Sequence, residues 1–224
     1  MKLRKISILF LVALVFIGIQ GCDLLGSLLS NSTVMVDAMV VQMPAPISTT
    51  TATIIITDNG ADVTNATVSI GSTNIPHTSG NTYTGFIGNI SAGNPVTLIV
   101  TGTSPNINIS KTINMPTAPN ITVPILGHSY DYLQPIPVSW DADTTVGSFT
   151  LVVPGTYTIS TANYTDSVLS NLNTDPIPGS TLFQNLTNAF LYVSADRSSL
   201  ISGYALGSIL LVSNTAMSNT FDTH

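Results

Sequence analysis

The clearest pattern in this chain is a strict alternation of apolar and polar positions in short runs. Between Pro95 and Thr101, residues Val96, Leu98 and Val100 share one parity, and threonine flanks them on the other. A period of two places such residues on one face of an extended chain. The pattern therefore predicts a β-strand with one buried face.

Runs of this kind recur from Val34 to about Asn120, with turn signals between them. The predicted strands cover residues 34–43, 51–57, 63–70, 81–87, 95–101 and 106–113. Asp58-Asn59-Gly60 is predicted to be a tight turn, because Asn and Gly tolerate positive φ. Strands at this spacing are typical of a β-sandwich of about 90 residues.

A second region of alternation follows a stiff segment, Met115–Pro119, which contains two prolines and is predicted to link two domains. Ile136, Val138 and Trp140 share one parity, so the sole tryptophan is expected to point into a core. Further strands are predicted at 147–153, 181–195 and 207–212, the last of which is expected to close this domain. We therefore predict two domains, 34–117 and 118–224.

Composition narrows the classes of partner. Charged residues make up 7% of the chain, and all eleven acidic residues are aspartates. Beyond residue 21 only Lys111 and Arg197 oppose those eleven aspartates, which gives a formal charge of −9. Such a chain repels phosphate backbones, so nucleic-acid binding is not expected.

The N-terminus has the pattern of an export signal. Residues 1–5 carry three of the five basic residues of the chain, and a mostly apolar run from Ile6 to Ile19 follows. That run is shorter than the ~20 residues that span a bilayer. Residues 1–21 therefore predict a cleaved secretory signal peptide. The alternative is an uncleaved membrane anchor.

Ile19-Gln20-Gly21-Cys22 resembles the lipobox of bacterial lipoproteins, although Gln20 departs from the small or aliphatic residue usual at its place. The resemblance implies a diacylglyceryl thioether on Cys22, cleavage before this residue, two or three acyl chains on it in all, and a lipidated tether over 22–33. It places the protein in the bacterial cell envelope, at the outer membrane and cell surface or on the periplasmic face of the inner membrane. The expected partner of Cys22 is then the lipid bilayer, and no other cofactor is expected.

Two further resemblances concern the β regions. Asp58–Val68, Tyr83–Phe86 and Ser91–Leu98 are similar to bacterial Ig-like and carboxypeptidase-regulatory-like modules, which are non-catalytic spacers or binding modules. Val138-Ser139-Trp140 resembles the early tryptophan strand of fibronectin type III modules. Leu191, Val193 and Ala195 match the inward-facing residues of that family's next-to-last strand, and Gly207-Ser208 match the start of its last strand. Ala189 stands where the family has its corner tyrosine. The implied fold class is all-β, with two tandem Ig-like and fibronectin type III-like β-sandwiches after a cleaved signal peptide.

No catalytic or metal site is expected. Gly127–Asp131 begins like the nucleophile elbow Gly-x-Ser-x-Gly, but Asp131 replaces the final glycine and only His224 could follow as a base. His77, His128 and His224 do not have metal-ligand spacing. Two pairs of loop aspartates, Asp58 with Asp62 and Asp141 with Asp143, could offer oxygen ligands to calcium, but solvated turns explain them better.

Aromatic residues supply the candidate contact surfaces. If Leu191 and Val193 face the core, then Phe190 and Tyr192 face outward, and Val152 on the neighbouring strand joins them. Such a patch marks an interface unless the rest of the chain covers it.

A second candidate surface is the pair Tyr130 and Tyr132, which could stack on a sugar ring. We therefore expect a non-enzymatic binding, adhesion or structural module with a protein or glycan ligand. The alternatives are a carbohydrate-binding accessory lipoprotein and, third, a hydrolase with an unrecognised site.

Overall fold

The computed structural model describes residues 32–141, 146–169 and 172–224. Every regular element among them is a β-strand, which confirms the predicted all-β fold class. The predicted signal peptide 1–21, Cys22 and Asp143 lie outside the described residues, as does all of the tether except residues 32 and 33.

The chain forms two compact units. Residues 32–117 and Asp196–Asn214 make the first unit, and the described residues of Ala118–Ala195 and Thr215–His224 make the second.

The first unit is a β-sandwich of two sheets. Its first nine strands are β1 (Val34–Gln42), β2 (Thr50–Asp58), β3 (Ala61–Asp62), β4 (Thr67–Ile70), β5 (Thr73–Asn74), β6 (His77–Ser79), β7 (Thr82–Ile87), β8 (Pro95–Thr103) and β9 (Asn106–Asn114). One sheet contains β1-β2-β7-β6 with β3 on β2, and the other has the order β5-β4-β8-β9. The alternation read from the sequence thus marks real strands.

Turn chemistry sets the register of the β2–β3 hairpin. Asp58 pairs with Ala61, and the two residues between them, Asn59 and Gly60, have φ values of 53° and 78°. Both lie in the left-handed region that Asn and Gly tolerate. The predicted tight turn is confirmed.

The core of the first unit lies between its two sheets. The apolar parity of each strand supplies it: Val36, Ala38 and Val40 from β1, Ala52, Ile54 and Ile56 from β2, Tyr83 from β7, Val96, Leu98 and Val100 from β8, and Ile107 and Ile109 from β9. Fully burying such side chains contributes roughly 1.5–3 kcal/mol each.

Two long strands, β15 (Tyr192–Leu200) and β16 (Ile209–Met217), contribute to both units. In the first unit β16 pairs in parallel with β1, from Asp37 opposite Ile209 to Gln42 opposite Asn214. Ile201, Leu210 and Val212 complete the core of the first unit.

The second unit surrounds the tryptophan. Its other strands are β10 (Ile121–Val123), β11 (Ser129–Tyr130), β12 (Ser139–Trp140), β13 (Ser148–Val153), β14 (Tyr164–Leu169) and β17 (Asp222–Thr223). β13 lies between β14 and β15, while β10 pairs with β12 and β11 with β17. Trp140 is 1% exposed and packs against Phe149 at a centroid distance of 5.4 Å. Leu191, Val193 and Ala195 are buried in the same core, as predicted.

The predicted domain ranges 34–117 and 118–224 stay a prediction, and the compact units differ from them at residues 196–214. Gly207–Val212, expected to close the second domain, falls in the unit of residues 32–117. The physical reason is the ladder with β1, which gives the backbone groups of β16 their hydrogen-bond partners.

Candidate functional site

Three aromatic side chains form a row on the second unit. The Tyr157 and Phe190 ring centroids are 5.3 Å apart, and those of Phe190 and Tyr192 are 5.5 Å apart. Both contacts are edge-to-face, the geometry that aromatic quadrupoles favour. All three residues are half-buried. We call Tyr157, Phe190 and Tyr192 the aromatic row.

A compact loop positions Tyr157 after β13. The Thr158 hydroxyl donates to the carbonyl oxygens of Gly155 and Ala162, and the Gly155 N–H donates to Asn163 Oδ1 at 2.8 Å. A Cβ at position 155 would lie 2.4 Å from the Thr161 oxygen, so the close turn requires glycine there. The loop is therefore held by its own hydrogen bonds.

Strain accompanies that loop. Thr161 has a φ of 57°, a left-handed conformation that is costly for a β-branched residue. Such strain costs on the order of 1–3 kcal/mol and persists where the surroundings over-determine it. In proteins generally, such backbone strain is concentrated at active sites and ligand-binding segments.

The chain before Phe190 is fixed as well. The Phe183 N–H donates to the backbone carbonyl oxygen of Tyr157 at 2.9 Å, which joins this segment to the loop. Asn185 and Asn188 have φ values of 58° and 55°, and the Asn188 N–H donates to Asp222 Oδ1 at 2.9 Å. Two hydrogen-bonded segments thus hold the aromatic row from either side.

The hydroxyls of the row are partly withdrawn from water. Burial raises the pKa of Tyr157, and burial together with the nearby Tyr157 raises the pKa of Tyr192. Among the described residues neither phenolic oxygen has a hydrogen-bond partner. Both hydroxyls keep their full capacity to donate and accept.

Val152 needs a correction, because the sequence placed it on an exposed patch and it is only 4% exposed. Every residue of β13 after Ser148 is buried, on both faces of the strand. Val152 therefore offers almost no surface of its own. The role of Phe190 and Tyr192 as contact residues stays a prediction.

The second predicted pair, Tyr130 and Tyr132, is arranged differently. Tyr130 packs edge-to-face against His128 at 4.5 Å and Phe221 at 5.9 Å, and its hydroxyl accepts from the Ile125 N–H. In the part of the chain that the structure covers, no ring contact joins Tyr130 to Tyr132. Tyr130 thus already has partners on several sides, and the pair's role as a contact surface stays a prediction.

The structure does bring together the two residues that the elbow-like motif would need. Ser129 Oγ and His224 Nδ1 are 2.9 Å apart, and both residues are exposed. The nearby carboxylates have other partners, since Asp131 accepts from the Leu133 N–H and Asp222 from the Asn188 N–H. A serine–histidine pair in open water lacks the oriented acid and the water-excluded setting of a catalytic triad.

Within residues 32–141, 146–169 and 172–224, no group of three or more His, Cys, Asp or Glu side chains is placed to hold a metal ion. Over those same residues, no helix has the length and apolar character needed to cross a bilayer.

The sequence alone did not identify Tyr157. It lies in a segment without a long alternating run, and its pairing with residues 181–183 depends on contacts far along the chain. The sequence around Tyr157 does contain a short alternation, in which Tyr157 and Ile159 lie on the opposite face from the buried Thr158.

Comparison with known proteins adds little to this geometry. No protein family and no curated protein matches the sequence. Among solved structures, the chain is similar to the fibronectin(III)-like modules of CbhA from Clostridium thermocellum. The identity is 13% and the TM-score 0.24, over 84% of this chain and 95% of that one. The all-β assignment rests on the strands of this chain.

Proposed function

We propose that this chain is an exported, membrane-anchored lipoprotein whose β-sheet units act as a non-enzymatic binding, adhesion or structural module. The observation that carries the binding role is the aromatic row, in which three half-buried rings are held by strained, hydrogen-bonded segments. Rigid aromatic side chains provide contact area at low conformational cost, which favours recognition. The anchoring role is supported by the lipobox-like sequence ending at Cys22.

The anchor is tested in a bacterium that processes lipoproteins. The chain is expected to incorporate a clickable fatty acid and to sediment with membranes, and Cys22→Ser is expected to lose the fatty-acid label. Retention of the label in Cys22→Ser would refute lipidation at this residue.

The contact role is tested on the Cys22→Ser background, where lipid no longer holds the protein to membranes. All variants on this background share the same N-terminus, so a difference between them in binding to isolated cell envelopes reports the β-sheet units. The double variant Phe190→Ser/Tyr192→Ser is expected to lose this binding and to keep nearly the same melting temperature. A large loss of stability would show that the two rings serve packing instead.

Phe86→Ser is the matched control. Phe86 is 72% exposed and belongs to the first unit, outside the aromatic row. We expect this variant to bind envelopes like its parent. An equal loss in Phe86→Ser would show that general surface hydrophobicity, rather than the aromatic row, drives the association.

A further inference from the structure

We infer that the aromatic row binds a neutral sugar chain. This inference rests on the proposed binding role and names the chemistry of the ligand. Sugar rings present C–H groups on their faces and hydroxyls around their edges. A matching surface needs apolar rings beside free hydrogen-bonding groups, as aromatic-lined ligand sites provide.

The row supplies both kinds of group in one place. Phe190 lies between two tyrosines, within 5.3 Å and 5.5 Å of their ring centroids. Within the described residues the Tyr157 and Tyr192 hydroxyls have no hydrogen-bond partner, so each can donate to and accept from a bound hydroxyl. A purely apolar ligand surface, without hydrogen-bonding groups, would leave both half-buried hydroxyls unsatisfied, at a cost of about 1–3 kcal/mol each.

Charge favours a neutral ligand. The sequence of the second unit, 118–195 and 215–224, contains no lysine or arginine. Burial and the neighbouring tyrosine account for the raised pKa values of Tyr157 and Tyr192, with no contribution from a carboxylate. An anionic ligand would therefore find no lysine or arginine of this unit to pair with.

The surroundings of the row match this chemistry as well. Exposed amide side chains, Gln184, Asn185 and Asn188, occupy the turns that lead to Phe190. Amides both donate to and accept from hydroxyls. Because these turns and the Tyr157 loop are already hydrogen-bonded, little conformational entropy is lost when a ligand binds.

The test uses the full chain in detergent and affinity electrophoresis through gels that contain soluble β-glucan, xylan, mannan or dextran. At least one of these neutral polysaccharides is expected to retard the protein. Tyr157→Phe/Tyr192→Phe keeps the ring volumes and removes both hydroxyls. We expect it to weaken retention about tenfold or more, since each lost hydrogen bond contributes about 1 kcal/mol. Phe190→Ala should abolish retention.

Phe86→Ala is the control and should be retarded like the parent, because Phe86 is 72% exposed and lies outside both candidate surfaces. Fluorescence of Trp140 and the melting temperature report whether each variant is folded. Because Tyr→Phe changes almost no volume, that variant tests the hydroxyls even where Phe190→Ala destabilises the unit.

Three outcomes would overturn the inference. They are no retardation by any of the four polysaccharides, retardation that the row variants do not change, and binding instead to phenyl-bearing beads that Phe190→Ala abolishes. The last result would assign the row to an apolar protein partner. If envelope binding survives while polysaccharide binding fails, the ligand chemistry is wrong and the proposed binding role stands.

Discussion

At the scale of single residues, Tyr83 shows how one hydroxyl joins separate segments of the first unit. Its ring is buried in the core, and its oxygen accepts from the Ala66 N–H at 3.0 Å and donates to the Val63 oxygen at 3.1 Å. Both backbone groups belong to the irregular segment that leads into β4, where no described strand pairs with them. The Tyr83 hydroxyl therefore supplies the hydrogen-bond partner that each of them would otherwise lack.

Tyr83→Phe is expected to lower the free energy of unfolding by about 1–3 kcal/mol, because both backbone groups lose their partner in a buried place. Chemical denaturation followed by circular dichroism measures this change. Tyr132→Phe is the matched control, since its hydroxyl makes no hydrogen bond to any described residue, and should change stability little. Equal stability of the two variants would contradict the role of the Tyr83 hydroxyl.

A second residue-scale feature is the carboxylate of Asp175. Burial, followed by the charge of Asp166, raises its pKa. Its Oδ2 is buried without a hydrogen-bond partner among the described residues. A raised pKa in the folded state means that the folded state holds the proton more tightly, so stability falls as pH rises through that pKa.

Asp175→Asn is therefore expected to stabilise the protein at pH 7, by roughly 0.5 kcal/mol, because water screens a partly exposed carboxylate. The gain should shrink as pH falls and should vanish below the pKa of an unfolded aspartate, ~3.9, where Asp175 becomes protonated in both states. Thermal melts of both proteins between pH 3 and pH 8 measure it. A gain that is constant across this range would show that the charge is not the cause.

At the scale of elements, the edge strand β9 carries an inward charge. Lys111 lies opposite the buried Leu98, on the parity of Ile107, Ile109 and Ile113. An edge strand offers free backbone groups to other chains, and an inward-pointing charge is one way that proteins prevent such pairing. On this interpretation Lys111 protects the edge of the sheet from pairing with another chain.

Lys111→Ile is expected to increase self-association, because a new strand could then pair without burying a charge. Sedimentation velocity over a range of concentrations measures it. Lys111→Arg keeps the charge and should stay at the parental oligomeric state. Unchanged sedimentation of Lys111→Ile would show that other features protect the edge, such as the hydrogen bond from the Asn108 N–H to the Tyr204 hydroxyl.

Individual strands were predictable because their causes are local. Alternation and turn residues fix β2, β8 and the Asn59-Gly60 turn within a few residues of sequence. The partner of β16 was not predictable in this way. The alternation of Leu210 and Val212 predicts a strand but does not show which strand lies beside it. The parallel ladder with β1 joins residues about 170 positions apart in the sequence.

The candidate site was predictable only in part, for the same reason. Alternation around Leu191 placed Phe190 and Tyr192 outward, whereas Tyr157 reaches them through a loop whose shape depends on Gly155 and Thr161. Val152 was misplaced because alternation cannot show when both faces of a strand are covered.

At the scale of the whole molecule, the chain leaves the first unit at residue 117, returns at 196 and leaves again after 214. Buried polar contacts hold these crossing points together. The Ser213 hydroxyl donates to Asp196 at 2.6 Å, and Asn214 Nδ2 donates to the Pro116 oxygen at 2.8 Å. The ends at 117 and 196 therefore lie close to each other within the first unit.

This proximity predicts a minimal first unit. Residues 32–117 joined to 196–214 by a short Gly/Ser linker should unfold cooperatively, because a few flexible residues span the gap. Residues 32–117 alone lack the strand beside β1 and part of the core, and should show no cooperative thermal transition. Calorimetry of the two fragments distinguishes them, and a cooperative transition in the shorter one would contradict this account.

The pairing of β16 with β1 also has a consequence for biosynthesis. A ribosome completes residue 117 long before residue 214, so the first unit has no partner for the outer side of β1 while the next hundred residues are made. Domains commonly fold in order as they emerge. In this chain we expect the first unit to complete its fold only after residue 214 has been made, because β16 supplies the partner of β1. For a chain that we propose is exported, such a delay keeps the polypeptide in a form that can thread through a translocation channel.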